Sequence, residues 1–242
     1  MNEDESLRRY GLRPAERDHG AVIATKVAAV TPAAFVLANT CLMTPPLVPE
    51  ITLHLAPEPI ALWERTEQDT GQAGLPPPFW AFPWAGGQVL ARYLLDHPEC
   101  TAGRTVLDLA AGSGLVAIAA AKAGAAAVTP SETDPLACTA IELNSAANSV
   151  TLEATLGDVL GGEAAGNDLV VAGDGFYERL MAERLLPFLE RARASGAVVL
   201  VGDPGRAYLP RDRFEAVASY DVPVSPVLED ADVKRSTVWR LP

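Results

Sequence analysis

The sequence predicts an α/β fold of the Rossmann-like class: a seven-stranded, mostly parallel sheet with helices on both faces, plus a small N-terminal extension. From about residue 104 onward, short apolar runs alternate with helical stretches, which is the arrangement that gives parallel strands with crossover helices. The last two runs are joined by only a short turn region. This spacing favours a C-terminal antiparallel hairpin at the edge of the sheet.

Seven apolar runs account for the predicted strands. The two that form the predicted hairpin are FEAVASYDVPV and DVKRSTVWRLP. Right-handed crossovers then fix most of the order of the parallel strands. Pro130 is unexpected inside a parallel strand, because proline cannot donate to the hydrogen-bond ladder. The five parallel runs are, in chain order, TVLDLA, AAVTPSE, TLEATLGD, DLVVAGD and AVVLVGD.

The extension is predicted to cover residues 1–78, and the main domain residues 79–242. The first twenty residues have no sustained apolar period and are expected to form a frayed or weakly helical arm. Thr31 before Pro32 is typical of an N-cap and first turn, so TPAAFVLANT is expected to be a short helix. The alternating residues of EITLHLA indicate a half-buried strand, and PIALWERTEQ an amphipathic helix.

A proline-rich linker follows, GLPPPFWAFPWAGGQ, whose prolines exclude a central strand or a helix interior. It carries four large aromatic residues, and we expect Trp84, just before the helix GGQVLARYLLDHP, to cover a pocket. Ordinary packing against the sheet is the alternative for all four, and it weighs more for Trp80 than for Trp84. Farther along, Asn148 is predicted to cap the end of a helix.

Composition limits the classes of partner. A chain of 242 residues with 49% hydrophobic residues can bury a sizeable core. The net charge of −12 disfavours nucleic acid and anionic membranes, which bind clustered Lys and Arg. The three cysteines have no metal-ligand spacing, so we predict no metal site. Residues 21–38 are interrupted by Lys26 and Pro32, which suits neither a signal peptide nor a membrane span, and a cytoplasmic location is expected.

The stretch VLDLAAGSGLVAIAAAKAGAAAVTPSETDP contains a glycine turn between a strand and a helix. Gly112 and Gly114 allow a ligand to approach the backbone amides at the helix N-terminus, as a dinucleotide or another nucleotide-like cofactor would. Asp108 favours S-adenosylmethionine over NAD. A carboxylate there would repel a pyrophosphate but attract a sulfonium and an ammonium.

Acids also end the next two predicted strands. Glu132 lies 18 residues after Gly114, which suits hydrogen bonds to two ribose hydroxyls in either cofactor. Asp158 is placed for the exocyclic amine of adenine. Each acid alone could simply cap the following helix. Three acids at successive strand ends together favour an S-adenosylmethionine site.

The glycine turn and its acids resemble those of class I S-adenosylmethionine-dependent methyltransferases. The wider match extends from about Ala33 to Arg240 and resembles the bacterial electron transfer flavoprotein β-subunit lysine methyltransferases, often labelled nicotinamide N-methyltransferase-like or ribosomal protein L11 methyltransferase-like. Its segments are PPPFWAFPWAGGQVLARYLL, ETDPLACTAIELNSAAN, GDGFYE and GDPGRAYLP. The resemblance implies that the methionine part is held by Asp108, Gly112 and Gly114, the ribose by Glu132, the adenine by Asp158, and that Trp84 lies beside the cofactor.

The same resemblance implies that Asp174 and Tyr177 form the acceptor site at the end of the fourth strand. Exposing the neutral amine of lysine at pH 7 costs about 4.6 kcal/mol. We expect Asp174 to orient the incoming ammonium and Tyr177 to hydrogen bond the amine. In the alternative interpretation, Asp174 caps the helix that begins near YERLMAERLL. Gly175 stands where the family has a bulkier residue, which predicts a looser backbone beside Asp174.

The resemblance implies an enzyme that methylates lysine in the electron transfer flavoprotein β subunit or a similar basic protein segment. A small-molecule N-methyltransferase acting on a nicotinamide-like acceptor is the alternative activity. A non-catalytic S-adenosylmethionine-binding module is the alternative class, favoured by Pro130 and Gly175. Glu132 stands where an aspartate is common in the family. An NAD-dependent oxidoreductase is disfavoured by Asp108 and by the lack of a clear acid-base set.

Overall fold

A computed structural model describes residues 31–58, 61, 62, 65, 77–229 and 231–242. The predicted arm over residues 1–20 and most of the predicted PIALWERTEQ helix lie outside the described residues. The division of the chain at residue 79 stays a prediction. Within the described ranges, no helix has the length and apolar character needed to cross a bilayer.

The described part of the extension includes a helix and a small hairpin. Thr31 is the N-cap residue of helix α1 (Pro32–Asn39). Its hydroxyl accepts a hydrogen bond from the Ala34 N–H at 3.2 Å, which confirms the predicted cap. Strands β1 (Cys41–Met43) and β2 (Leu53–Leu55) pair antiparallel. The alternating apolar residues of EITLHLA are buried as predicted, and they pack against the helix that follows the glycine turn.

Seven strands form the main sheet, in the spatial order β5-β4-β3-β6-β7-β9-β8. The first five in this order are parallel, and β9 runs antiparallel to both β7 and β8, which confirms the predicted sheet and closing hairpin. The strands are β3 (Thr105–Leu109), β4 (Ala127–Glu132), β5 (Thr155–Leu156), β6 (Leu169–Gly173), β7 (Val198–Asp203), β8 (Glu215–Pro223) and β9 (Val233–Arg240). Only two residues of the run TLEATLGD form strand β5.

Helices cover both faces of the sheet because the central strands are apolar on both sides. One face packs against α5 (Arg179–Ala194) through residues such as Leu107, Val170 and Val199. Their strand neighbours, among them Val106, Val171 and Leu200, face the opposite way and pack against two other helices. Those helices are α2 (Ala85–Asp96) and α3 (Leu115–Lys122); α4 (Pro135–Ala147) follows β4, and the short α6 (Pro226–Glu229) lies between β8 and β9.

Pro130 lies inside β4 without breaking the sheet. The Ser131 carbonyl accepts a hydrogen bond from the Ala111 N–H at 3.2 Å, on the β3 side of the strand. Because successive residues of a strand point to opposite neighbours, the Pro130 nitrogen faces β5. Strand β5 pairs with β4 only at Ser131 and Glu132. The missing N–H therefore falls where no ladder hydrogen bond is made.

Helix α2 approaches the sheet unusually closely at its first turn. A side chain on Gly202, in β7, would overlap the Gly86 carbonyl oxygen and lie 2.8 Å from Leu90 Cβ. A side chain on Gly173, at the end of β6, would lie 2.8 Å from Gly87 Cα. These glycines allow the N-terminus of α2 to rest against the ends of two neighbouring strands.

Gly202→Ala is predicted to lower the free energy of unfolding by about 3 kcal/mol, because the added methyl meets rigid backbone. Urea denaturation measures the effect. Gly161→Ala is the matched control, since a methyl there meets no atom within 4 Å, and its change should stay within about 0.5 kcal/mol. Equal stability of the two variants would show that α2 can shift away from the sheet at little cost.

Candidate active site

The carboxyl ends of the parallel strands border a cavity of about 490 Å³. This is the edge at which open α/β sheets bind ligands, and the volume lies in the range of small-molecule sites. Six of the eight residues predicted for the site line the cavity, whereas Asp108 and Gly114 lie beneath the glycine turn and do not. The six are Trp84, Gly112, Glu132, Asp158, Asp174 and Tyr177.

The glycine turn has the backbone that the sequence predicts. Gly112 and Gly114 have φ values of 54° and 78°, in the left-handed region that favours glycine. Gly114 is the N-cap of α3, and a side chain there would come within 3.1 Å of Ile141 in α4. The turn therefore exposes the Gly112 backbone to the cavity while Gly114 packs beneath it.

Glu132 is held at the end of β4 by backbone amides. Its Oε1 accepts from the Gly112 N–H and its Oε2 from the Thr133 N–H, each at 2.8 Å. Burial raises the pKa of Glu132, and these hydrogen bonds oppose the shift. Oε2 also accepts from the Asp134 N–H at 3.5 Å, whereas Oε1 accepts only from Gly112 and keeps one lone pair. Backbone amides thus fix the Glu132 carboxylate at the edge of the cavity.

Asp108 lies deeper than the sequence suggests. Its side chain is 1% exposed, Oδ2 accepts from the Ala117 N–H at 3.0 Å, and Oδ1 has no hydrogen-bond partner. Burial raises the pKa of Asp108 to about 8, so the carboxyl is mostly protonated at pH 7. Asp108 attracts a sulfonium or an ammonium only in its ionised form. Its direct contact with a cofactor stays a prediction, whereas its support of the first turn of α3 is observed.

Asp158 is exposed at the cavity edge beyond β5. It forms an ion pair with Arg184 of α5, and its Oδ1 accepts from the Leu160 N–H at 3.1 Å. The Arg184 hydrogen bond lowers the pKa of Asp158, so this carboxylate is ionised at neutral pH. An adenine amine bound here would share Asp158 with Arg184.

Aromatic side chains form one wall of the cavity. The Trp84 indole N–H donates to the Phe79 carbonyl at 2.8 Å, and the Phe79 ring lies 5.2 Å from the Tyr177 ring. The first contact holds Trp84 within the proline-rich segment, and the second links that segment to the acceptor element of the sequence prediction. Trp80 and Phe82 instead join a buried cluster with α1 and α4, although Trp80 also borders the cavity.

Asp174 caps α2. Its Oδ2 accepts hydrogen bonds from the Gly86 N–H and, at 3.2 Å, from the Gly87 N–H. The alternative that Asp174 caps the following helix is wrong, because the N-cap residue of α5 is Glu178 and no side chain caps that helix. Sequence proximity suggested α5, but the strand order places the first turn of α2 over the end of β6.

The other Asp174 oxygen binds Arg206, a residue that the sequence analysis did not select. Oδ1 accepts from Arg206 Nε at 2.8 Å and lies 2.7 Å from Nη2. Burial raises the pKa of Asp174 to about 6, and Arg206 opposes the shift. Asp174 follows β6 and Arg206 follows β7, the adjacent strand. Had the predicted adjacency of β6 and β7 been used, the sequence could have paired Asp174 with Arg206, because each follows one of these strands.

Two asparagines of α4 connect the extension to the glycine turn. Asn144 donates to the Ser113 carbonyl at 2.8 Å and accepts from the His54 N–H at 2.7 Å. Asn148 is the C-cap of α4, as predicted, and its amide exchanges hydrogen bonds with the backbone N–H and C=O of Thr52. The β1–β2 hairpin is therefore fixed to the loop that borders the cavity.

Gly175 has a packing role. A side chain there would overlap Cδ2 of Leu185, which is fully buried in α5. The expectation of a looser backbone beside Asp174 is therefore not what the packing indicates. Glycine allows α5 to lie close to the end of β6.

Comparisons with known proteins agree on a methyltransferase. A model of the ribosomal protein L11 methyltransferase (PrmA) family matches residues 90–192. The chain is 37% identical over 213 residues to the electron transfer flavoprotein beta subunit lysine methyltransferase of Danio rerio, covering 85% of this chain and 81% of that protein. It is 37% identical over 200 residues to the Homo sapiens protein of the same name, covering 80% and 75%.

A solved structure supports the fold. SMU.776, assigned as a methyltransferase and complexed with SAH, matches with a TM-score of 0.55 at 11% identity, covering 84% of this chain and 56% of that chain. At this identity the match indicates a shared fold. It agrees with the seven-stranded sheet and its closing hairpin.

The buried carboxyl of Asp108 gives a pH-dependent prediction. Between pH 5 and 8 the unfolded chain ionises Asp108 while the folded protein keeps it protonated, so this residue costs stability as the pH rises. Asp108→Asn removes that cost. In urea denaturation without ligand, the free energy of unfolding of the variant relative to the wild type should increase by roughly 1 kcal/mol per pH unit.

Asp212→Asn, at an exposed position, is the control. Its free energy of unfolding should differ from that of the wild type by the same amount at pH 5 and at pH 8. A pH-independent difference for Asp108→Asn would instead mean that the folded protein keeps Asp108 ionised.

Proposed function

Because this chain belongs to the family of electron transfer flavoprotein β-subunit lysine methyltransferases, we propose that it methylates a lysine of that subunit. The chain is an S-adenosylmethionine-dependent methyltransferase. One observation carries the proposal for its acceptor site: Asp174 and Tyr177, at the end of β6, line the same cavity as Glu132. A nucleoside and an acceptor side chain could thus meet within one enclosed space.

The cavity suits the cofactor on three counts. Glu132 offers two oriented carboxylate oxygens, Gly112 exposes backbone, and Trp84 and Phe79 supply an apolar wall. We propose that Glu132 binds the ribose, Gly112 the methionine part, and Asp158 the adenine amine. Asp108 and Gly114 support the turn from beneath. When bound, S-adenosylmethionine supplies an electrophilic methyl group, which passes to the acceptor nitrogen as the carbon–sulfur bond breaks.

The acceptor end has groups suited to an amine. Tyr177 is 44% exposed, so its hydroxyl is accessible to a side chain that enters from solvent. We propose that Tyr177 hydrogen bonds the amine and directs its lone pair at the methyl carbon. Asp174 lies at the same strand end and attracts the ammonium of the incoming lysine. The ammonium loses its proton to water before the nitrogen attacks.

A basic protein segment matches the charge of this chain better than a neutral heterocycle does. The protein carries a net charge of −12, and Glu132 and Asp134 border the cavity beside the two carboxylates already paired with arginine. Such a field attracts lysine-rich segments and increases their rate of association. The relatives named for the electron transfer flavoprotein beta subunit support that protein as the partner.

Glu132→Gln is predicted to weaken binding of S-adenosylhomocysteine about tenfold, because a neutral amide replaces one oriented carboxylate oxygen. Isothermal titration calorimetry measures the dissociation constant. Glu153→Gln, an exposed position beyond the cavity lining, serves as the control and should bind as the wild type does. Unchanged affinity in Glu132→Gln would remove this residue from the proposed ribose site.

The acceptor is tested with labelled S-adenosylmethionine and purified electron transfer flavoprotein. We expect label on lysine of the β subunit, with kcat reduced about tenfold or more in Tyr177→Phe while affinity for S-adenosylhomocysteine is kept. Asp174→Asn should also lose activity, and it should lower the melting temperature as well because Asp174 caps α2.

A labelled small product with nicotinamide, and no labelled protein, would contradict the lysine proposal and favour the small-molecule activity. Binding of S-adenosylhomocysteine without transfer to either acceptor would favour a non-catalytic binding module.

A further inference from the structure

Arg206 lies at the centre of a charge network that reaches from the acceptor site to the C-terminal hairpin. Its guanidinium binds Asp174 Oδ1 and both carboxylate oxygens of Glu229, at 2.9 and 3.1 Å. Lys234 of β9 binds Glu229 at 2.6 Å. Glu229 is almost fully buried, so this carboxylate depends on both cations.

The position of Arg206 is fixed on every side. Asp203, the last residue of β7, accepts from the backbone N–H groups of Gly205 and Arg206 at 2.6 and 2.7 Å. The guanidinium carbon lies 5.7 Å from the centre of the Trp84 ring. The loop after β7 and Trp84, the N-cap residue of α2, therefore both hold Arg206 against the acceptor site.

All the hydrogen-bonding capacity of Asp174 is used by the protein. A carboxylate has about four lone-pair positions. Oδ2 accepts from Gly86 and Gly87, and Oδ1 faces Nε and Nη2 of Arg206. A lysine amine that reaches this strand end thus meets a paired carboxylate.

We propose that Arg206 is a positioning residue for the acceptor nitrogen: it fixes the Asp174 carboxylate and offsets its charge, so that the bound lysine can lose its proton and react as the neutral amine. This inference rests on the proposed lysine activity. Three carboxylates surround Arg206, those of Asp174, Asp203 and Glu229, and the last two raise the pKa of Asp174. Without Arg206 their combined charge would favour the ammonium form, which has no lone pair to attack a methyl group.

The balance of charge decides the sign of the effect. Arg206 and Lys234 oppose the carboxylates at the acceptor end, and Arg211 acts on Asp203. Loss of the guanidinium raises the pKa of the bound lysine and also that of Asp174. Both changes require a higher pH for activity. A role confined to holding the fold would lower the rate equally at every pH.

The test is the pH dependence of kcat between pH 6 and 9.5, with saturating S-adenosylmethionine and electron transfer flavoprotein. In Arg206→Gln the rising limb should move up by about one pH unit, giving about a tenfold loss at pH 7 that narrows toward pH 9. Arg206→Lys keeps the charge and should keep the wild-type midpoint at a reduced kcat. Arg240→Gln, an exposed ion-paired arginine of β9, is the control and should match the wild type.

A uniform loss at every pH, shared by Arg206→Gln and Arg206→Lys, would overturn the proposal. If Arg206→Gln does not fold, Glu229→Gln replaces it. Removing this negative charge should move the rising limb to lower pH, and an unmoved limb would equally contradict the proposal.

A second measurement separates this inference from the proposed function. Carbon-13 NMR of the Asp174 carboxyl, without substrate, should show a higher pKa in Arg206→Gln than in the wild type. Equal values would overturn the role of Arg206. If the wild type labels no lysine, the proposed function fails, and the NMR titration then decides whether Arg206 controls Asp174.

Discussion

The first turn of α2 rests against the ends of β6 and β7, and the Asp174 carboxylate binds its free N–H groups there. Gly173 and Gly202 permit the contact because they present only backbone to the helix. The remaining oxygen of Asp174 accepts from Arg206, and Asp174 borders the cavity. One buried carboxylate therefore joins the packing of the central sheet to the chemistry proposed for its edge.

The acids at the strand ends have different surroundings, and these differences suggest different roles. Asp108 is buried against α3 and mostly protonated, which suits structural support. Glu132 is oriented by amides and open to the cavity, which suits hydroxyl binding. Asp158 is exposed and paired with Arg184. Acids at similar positions thus differ in pKa, because burial and hydrogen-bond partners set the free energy of the charged form.

Features that depend on neighbours along the chain were predicted correctly from the sequence. Thr31 caps α1 because the amide it binds is three residues away, and Asn148 ends α4 for an equally local reason. Pro130 is unexpected in β4 because proline cannot donate a hydrogen bond, yet β5 is so short that no ladder hydrogen bond is lost. Gly175 suggested a loose backbone, whereas it allows close packing of Leu185. Both positions depend on contacts with another element of the fold.

The sequence by itself determined the fold class, the glycine turn and the cavity edge, because periodicity, turn residues and strand ends are local properties of the chain. The resemblance added the lysine methyltransferase family. Only the tertiary structure decided which helix Asp174 caps, that Arg206 binds it, and that Asn144 joins the extension to the turn. These contacts connect residues 30 to 90 positions apart, which meet because the order of the strands brings their ends together.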